Sequence, residues 1–123
     1  MTYEISQRFF FDAAHTLRRK IETELSARIH GHTYTAEVAV RGKPDAESGM
    51  VVDLGLLRNA LAALRERLDH QFLDTVEGLG PATLENLCRF IAQAPEIAGF
   101  DISRVSVWRE GIGDRCDLRD AAA

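Results

Sequence analysis

The sequence predicts an α+β fold in which four antiparallel strands form one sheet and two helices pack on one face of that sheet. Three observations predict it: two segments with strand-like alternation come first, two leucine-rich segments with helical spacing follow, and two short alternating segments joined by a glycine-containing turn come last. The predicted order is therefore ββααββ, with the helices covering the apolar face of the sheet. A length of 123 residues and a hydrophobic content of 46% predict a single domain over residues 1–123.

The first two strands are separated by a long loop. The first strand is predicted from Tyr3 to Asp12, and its expected inward side chains are Tyr3, Ile5, Phe9 and Phe11. Residues 16–28 are rich in charge and lose all periodicity, which predicts a loop whose cations we interpret as solvated. The second strand is predicted from His30 to Arg41, where β-branched residues alternate, and it ends in a turn that begins at Gly42.

The middle of the chain predicts two helices with recognisable starts. Asp53 is placed to cap the first helix, which we expect to run to about Leu68 with a buried stripe of leucines at 54, 57, 61, 64 and 68. Thr83 is placed to cap the second helix, which we expect to end near Pro95. Its expected inward residues are Leu84, Leu87, Phe90 and Ile91.

The last two strands are predicted as a hairpin. Val105 to Glu110 alternate as a strand does, and a shorter run from Arg115 to Arg119 follows. Residues 111–114 contain two glycines and are typical of the connecting turn.

Charge and composition argue against several classes of protein. The net charge of -4 provides no basic field for nucleic acid, and no apolar stretch of the sequence is long enough to cross a bilayer. The first residues lack the basic and apolar regions of a secretion signal, so we expect a cytoplasmic protein. Cys88 and Cys116 lie far apart and outside any metal-binding spacing, so we expect free thiols.

Three of the four histidines lie where they can bind one divalent cation. His30 and His32 are separated by one residue, so on an extended strand both side chains project from the same face. His15 follows the first predicted strand, and if that segment pairs antiparallel beside the second strand, a three-histidine site forms with one coordination position open. Neutral imidazoles and the lack of a thiolate set favour Zn²⁺, although iron, nickel and copper also accept such ligands.

Two other features carry groups suited to catalysis or binding. Asp69 and His70 are adjacent near a predicted helix end, and the pair can move protons or can simply be exposed surface residues. Glu110 ends a strand, where a carboxylate can serve as a metal ligand, as an acid or base, or as an anchor for an amidine-like group.

Six segments in order resemble the motifs of the 6-pyruvoyl-tetrahydropterin synthase and 6-carboxytetrahydropterin synthase family. They span nearly the whole chain and are Phe11–His15, His30–Tyr34, Gly49–Asp53, Leu68–Asp74, Thr83–Asn86 and the strand ending at Glu110. The resemblance implies the tunnelling fold, in which the sheets of three subunits form a barrel and two trimers stack into a homo-hexamer. Queuosine, folate and biopterin routes all use this scaffold, so the resemblance leaves the pathway open.

The resemblance also implies an activity and a set of site residues. It implies Zn²⁺ held by His15, His30 and His32, an Asp69–His70 dyad for proton transfer, and Glu110 gripping the pterin ring with Thr83 nearby. Sites of this family lie between subunits. The implied function is that of a zinc-dependent lyase acting on a reduced pterin, typically 7,8-dihydroneopterin triphosphate.

One departure from the family pattern matters most. A cysteine that acts as general acid or base usually precedes the His-Gly-His motif, but the residue four positions before His30 is Ser26. A serine hydroxyl is much harder to deprotonate than a thiol, so Ser26 needs strong activation to act as a catalytic residue. Two alternatives follow: an aldolase-like homologue that produces 6-hydroxymethyl-dihydropterin, or a non-catalytic homologue that binds pterins.

Overall fold

The computed structural model describes residues 1–17, 21, 24 and 27–120. The elements found there include β1 (Tyr3–His15), β2 (His30–Gly42), α1 (Leu54–Glu66), α2 (Leu84–Ala92), β3 (Ile102–Arg109) and β4 (Asp114–Arg119). Short 3-10 helices at Leu73–Thr75 and Pro95–Ile97 follow α1 and α2 respectively. The strands form one antiparallel sheet in the order β1-β2-β3-β4. The predicted α+β fold with a four-stranded antiparallel sheet and two helices is confirmed.

The core lies between the helices and one face of the sheet. Because neighbouring strand residues point to opposite faces, alternate residues of β1, β2 and β3 enter this core. The leucine stripe of α1 packs against them as predicted. The fully buried members include Phe11, Val38, Leu57, Leu61, Leu64, Leu68, Leu87, Ile91, Val105 and Val107.

The opposite face of the sheet carries a network of charged side chains. Glu37 on β2 accepts hydrogen bonds from Arg8 at 2.8 Å and from Arg104 at 2.7 Å. Burial alone would raise the pKa of Glu37, but these two guanidinium groups together hold that pKa below its ordinary value. Asp117 on β4 accepts a hydrogen bond from Ser106, and this bond lowers the pKa of its carboxyl group.

Both helices begin at the predicted caps. The Asp53 carboxylate accepts from the Gly55 backbone N–H at 2.9 Å, and the Thr83 hydroxyl accepts from the Asn86 N–H at 3.1 Å. The helices end slightly earlier than predicted, at Glu66 and Ala92, because short turns and 3-10 segments replace their last turns.

Three sequence predictions about the strands need correction. β1 continues past Asp12 to His15 because residues 13–15 pair with residues 30–32 of β2, a long-range contact that local alternation does not report. β3 runs from Ile102 to Arg109, so Glu110 lies in the turn after it. Tyr3 was expected to point inward but is 49% exposed, because it lies at the end of an edge strand beyond the helices.

The remaining predictions concern residues before β2, the two cysteines and membrane-spanning helices. Ser26 and the loop cations Arg18, Arg19 and Lys20 lie outside the described residues. Cys88 and Cys116 are free thiols, as predicted. None of the helices described is long and apolar enough to span a membrane.

Candidate metal centre and active site

The pairing of β1 with β2 brings the three predicted histidines together. His15 lies directly opposite His30, and His32 lies opposite Ala13 two pairs further along. Because these positions share one face of the sheet, the ring centroids are 4.5 to 5.0 Å apart. One potential ligand nitrogen from each ring lies within 4.8 Å of the other two. The geometry that the His-x-His spacing predicts is therefore present.

Hydrogen bonds leave ring nitrogens of His15 and His30 ready to accept a cation. His15 Nδ1 lies 3.0 Å from the Ala82 carbonyl oxygen, and His30 Nδ1 lies 2.7 Å from the Arg28 carbonyl oxygen. A carbonyl only accepts, so each Nδ1 carries the proton and each Nε2 keeps its lone pair. His15 Nε2 is buried and has no hydrogen-bond partner among the described residues. The donor set therefore fits a divalent metal ion.

The surroundings of His15 and His32 favour the neutral imidazole, which is the form that binds a metal ion. Burial, and then the nearby Arg109 guanidinium and the other two rings, lower the pKa of His32 to about 4. Burial likewise lowers the pKa of His15, against the opposing effect of its bond to Ala82. Burial raises the pKa of the neighbouring Tyr34 hydroxyl to about 12, so Tyr34 stays protonated at neutral pH.

A large open cavity of about 1240 Å³ lies beside His30 and His32. Thr83, predicted to contact the substrate, lines this cavity while its hydroxyl caps α2. Asp74 lines another part of it and accepts a hydrogen bond from the Thr16 backbone N–H at 3.0 Å, which ties the end of β1 to the segment after α1. The cavity is large enough for a bicyclic ligand with a side chain.

Asp69 and His70 form the predicted pair next to the histidine cluster. Asp69 Oδ2 lies 2.8 Å from His70 Nδ1, while Asp69 Oδ1 accepts the Asp12 backbone N–H at 2.9 Å. The bond from the Asp12 backbone, followed by the bond to His70 and the nearby Arg65 guanidinium, lowers the pKa of Asp69. The pair therefore consists of a fixed carboxylate and an imidazole that is 78% exposed. His70 and His32 both line a smaller neighbouring cavity.

The backbone at His70 has an unusual conformation. His70 has a φ of 58°, in the left-handed region that side chains other than glycine rarely adopt. Its backbone N–H donates to the Asp12 carbonyl at 2.6 Å, which helps hold this conformation. A residue kept in such a conformation is consistent with a site where side-chain position matters.

Glu110 is not among the residues that line the large cavity of its own chain. Its carboxylate accepts a hydrogen bond from Trp108 Nε1 at 3.2 Å in the turn after β3. The preceding residue, Arg109, lines the cavity instead and donates to His32 Nε2 at 3.1 Å. Sequence reasoning missed Arg109, although its alternation with the inward residues Val105 and Val107 was a usable signal.

Comparison with known proteins identifies what this chain resembles. A profile of the family described as "6-pyruvoyl tetrahydropterin synthase" matches residues 4–120. A 6-pyruvoyl tetrahydrobiopterin synthase from Drosophila melanogaster is 44% identical over 66 residues, which cover 50% of this chain and 39% of that protein. A dihydroneopterin monophosphate aldolase from Pyrococcus furiosus is 31% identical over 111 residues, which cover 88% of this chain and 90% of that protein. The chain spans about half or less of the first curated relatives that it matches.

A solved structure shares the fold. The 6-pyruvoyl tetrahydropterin synthase of Caenorhabditis elegans superimposes with a TM-score of 0.80 at 20% identity. The superposition covers 97% of this chain and 96% of that chain. The sheet and both helices therefore follow the arrangement of that protein.

Proposed function

Because the chain belongs to the 6-pyruvoyl tetrahydropterin synthase family, we propose that it is a zinc-dependent lyase acting on a reduced pterin such as 7,8-dihydroneopterin triphosphate. The observation that carries the proposal is the convergence of three imidazoles, one with a buried and unpartnered Nε2, beside a cavity of suitable size. His15, His30 and His32 would hold the ion. When bound, Zn²⁺ would make a hydroxyl of the pterin side chain more acidic.

In this proposal Asp69 and His70 move protons. His70 is exposed and can exchange protons with substrate or solvent, whereas Asp69 is held by the Asp12 backbone and cannot turn away. A fixed carboxylate on Nδ1 orients the imidazole so that its Nε2 faces outward and can accept or return a proton. His70 would thus be the general base or acid, and Asp69 would orient it.

In this proposal Thr83 and Glu110, which lie in different parts of the chain, recognise the pterin ring. Thr83 lies in the cavity beside His30. Glu110 does not line the cavity of its own chain, and we propose that it reaches the site of a neighbouring copy in a homo-hexamer made of two trimers, as the family resemblance implies. The Glu110 carboxylate can accept two hydrogen bonds from the amino-pyrimidine edge of a pterin. We further propose a cytoplasmic location, with which the free thiols agree.

An aldolase-like reaction is the second candidate. It would cleave the side chain of dihydroneopterin or its phosphate to leave 6-hydroxymethyl-dihydropterin and a two-carbon aldehyde. Two observations favour it: Ser26 replaces the cysteine on which the synthases rely, and the relative named an aldolase aligns with nearly the whole chain. A third candidate is a pterin-binding homologue without catalytic activity, because Ser26 stands where the synthases have their catalytic cysteine.

Product analysis separates these candidates. The zinc-loaded protein would be incubated with 7,8-dihydroneopterin, its monophosphate and its triphosphate, and the products followed by mass spectrometry. A 6-carboxy or 6-pyruvoyl product supports a synthase, whereas 6-hydroxymethyl-dihydropterin with a two-carbon aldehyde supports the aldolase. Binding without turnover of any of the three supports a binding protein. Neither binding nor turnover in protein carrying a full complement of zinc would refute the proposed pterin function.

The role of Ser26 has its own test. Ser26→Cys restores an acidic thiol at the position where the synthases have one, so we expect synthase products to appear or to increase at least about tenfold. Ser26→Ala is the matched control and should leave that reaction at the parent level. If the cysteine variant binds zinc and pterin yet forms no synthase product, the reaction differs in more than this residue.

A further inference from the structure

Arg109 occupies the side of the cavity next to the histidine cluster. It is the last residue of β3 and faces the same side as the buried Val105 and Val107, so the strand aims its side chain at the site. The side chain is only 16% exposed. Its Nη1 donates to His32 Nε2 at 3.1 Å, and its Nη2 pairs with Asp114 across the hairpin.

The donors of this guanidinium are incompletely satisfied. Arg109 Nε is buried and has no hydrogen-bond partner among residues that the structure describes. A guanidinium can only donate, so His32 Nε2 must be the nitrogen with the lone pair, which is also the lone pair a metal ion would use. With a metal held there, Nη1 would lose its acceptor as well. Buried donors without acceptors are costly, so this side chain requires an acceptor from elsewhere.

We propose that Arg109 binds a phosphate group of the substrate next to the metal and thereby selects phosphorylated pterins over unphosphorylated ones. This inference rests on the proposed function and names the form of its substrate. Phosphate oxygens are strong acceptors and bind arginine through charge-assisted hydrogen bonds. Arg109 would act as a specificity-determining residue.

The other charged groups of the cavity are less available. Arg28 pairs with Glu24, and Arg115 pairs with Asp117 while lying over the Trp108 ring. The cavity carboxylates are those of Asp74, Glu85 and Asp114. Asp74 is bonded to Thr16 and Asp114 to Arg109. Among the cavity residues that the structure describes, Arg109 is therefore the cation that combines proximity to the histidines with an unsatisfied buried donor.

The first test compares two probes on the zinc-loaded protein. Dissociation constants for 7,8-dihydroneopterin and its monophosphate would be measured by calorimetry for the parent chain, Arg109→Gln, Arg109→Lys and the control Arg115→Gln. We expect the parent to prefer the monophosphate by at least about tenfold. Arg109→Gln should abolish that preference with less than about threefold change for dihydroneopterin, Arg109→Lys should keep part of it, and Arg115→Gln should keep most of it. Retention of the preference in Arg109→Gln overturns the inference, and so does equal weakening of both probes.

The second test does not depend on pterins. Inorganic phosphate would be titrated into the protein loaded with Co²⁺, whose visible spectrum reports changes beside the metal. Arg109→Gln should raise the phosphate concentration at half-change by about tenfold or more, and Arg115→Gln should not. If neither pterin binds but the binding of inorganic phosphate still depends on Arg109, the proposed function fails and this inference stands. If the spectrum does not respond, or responds equally in Arg109→Gln, the inference is wrong.

Discussion

At the residue scale, the three histidines are distinguished by the contacts of their ring nitrogens. The rings of His15 and His30 each direct one nitrogen at a backbone carbonyl. This contact fixes both the tautomer and the orientation of the ring. Because main-chain carbonyls supply these contacts, the fold itself orients the two rings for metal binding. His32 instead contacts the Arg109 side chain. We therefore expect metal binding to change the surroundings of His32 most.

Removal of one imidazole tests the metal centre. We expect His15→Ala to weaken zinc binding by more than about a hundredfold, since loss of a ligand should exceed the 10- to 100-fold effect typical of residues behind the ligands. Zinc affinity would be measured by competition with a chromophoric chelator, and bound metal by elemental analysis.

Tyr34→Phe is the matched control for this prediction. The Tyr34 hydroxyl lies 3.4 Å from His15 Nδ1 in the same buried cluster, yet at neutral pH it is a protonated phenol and not a ligand. Because the Ala82 carbonyl still holds His15 Nδ1 in this variant, zinc affinity should change by no more than about tenfold, the low end of the effect of residues behind the ligands. Equal losses in the two variants would mean that disturbed packing, and not a missing ligand, explains the His15 result.

At this scale the sequence was informative where alternation alone decides position. The one-residue spacing of His30 and His32 placed both on one face. The alternation of Val105, Val107 and Arg109 indicated which face Arg109 is on, but whether Arg109 or Glu110 reaches the cavity depends on where β3 ends. β3 ends at Arg109 because the hairpin pairs this residue with Asp114.

At the element scale, the cap of α1 makes a separable contribution to stability. Asp53→Ala removes the acceptor for the Gly55 N–H, and we expect the free energy of unfolding to fall by about 1 kcal/mol. Urea denaturation measures it. Asp53→Asn keeps a capping oxygen, so its free energy of unfolding should fall much less. An equal fall in both variants would contradict the capping role.

The charged face of the sheet should control stability in acid. Glu37 has a folded-state pKa below its ordinary value of 4.5, so ionised Glu37 stabilises the folded state above that pH. This stabilisation is lost as the pH falls through the lower, folded-state pKa. At pH 7 we expect Glu37→Gln to cost about 2 kcal/mol, since two hydrogen bonds from charged groups are weakened. The difference between the variant and the parent should shrink as the pH falls below 4.5 towards the lowered, folded-state pKa.

The control for this prediction is a glutamate that is exposed. Glu77→Gln changes the net charge equally but lies in a loop away from the network. Its unfolding free energy should differ from that of the parent by less than about 0.5 kcal/mol between pH 3 and 7. A Glu37→Gln variant whose deficit persists unchanged at pH 3 would show that its effect is not electrostatic.

At the scale of the whole molecule, the proposed metal centre lies at one end of a core that is already packed. The histidines are held by the β1–β2 pairing and the apolar cluster beneath it. We expect removal of zinc with a chelator to leave the far-UV circular dichroism spectrum within about 10%, because most buried contacts do not involve the ligands. The melting temperature should fall, since an ion that binds the folded state at a thousand times its dissociation constant adds about 4 kcal/mol.

Two outcomes of this experiment have different meanings. Restoration of the melting temperature by added Zn²⁺, with the spectrum unchanged throughout, is the expected behaviour of a metal on a preformed scaffold. Unfolding on chelation would instead identify a structural ion and remove the catalytic assignment. His15→Ala should show no response to the chelator in either case.

The sequence by itself determined the order of the elements, both helix caps, the leucine stripe and the shared face of His30 and His32. These features depend on residues within a few positions of one another, so hydrophobic period and capping chemistry report them directly. Only the tertiary structure decided that β1 extends to His15, that Ala82 orients that ring, that Asp12 anchors Asp69, and that Arg109 enters the cavity. Each of these depends on the register between segments distant in the chain, and register is set by the packing of the whole core.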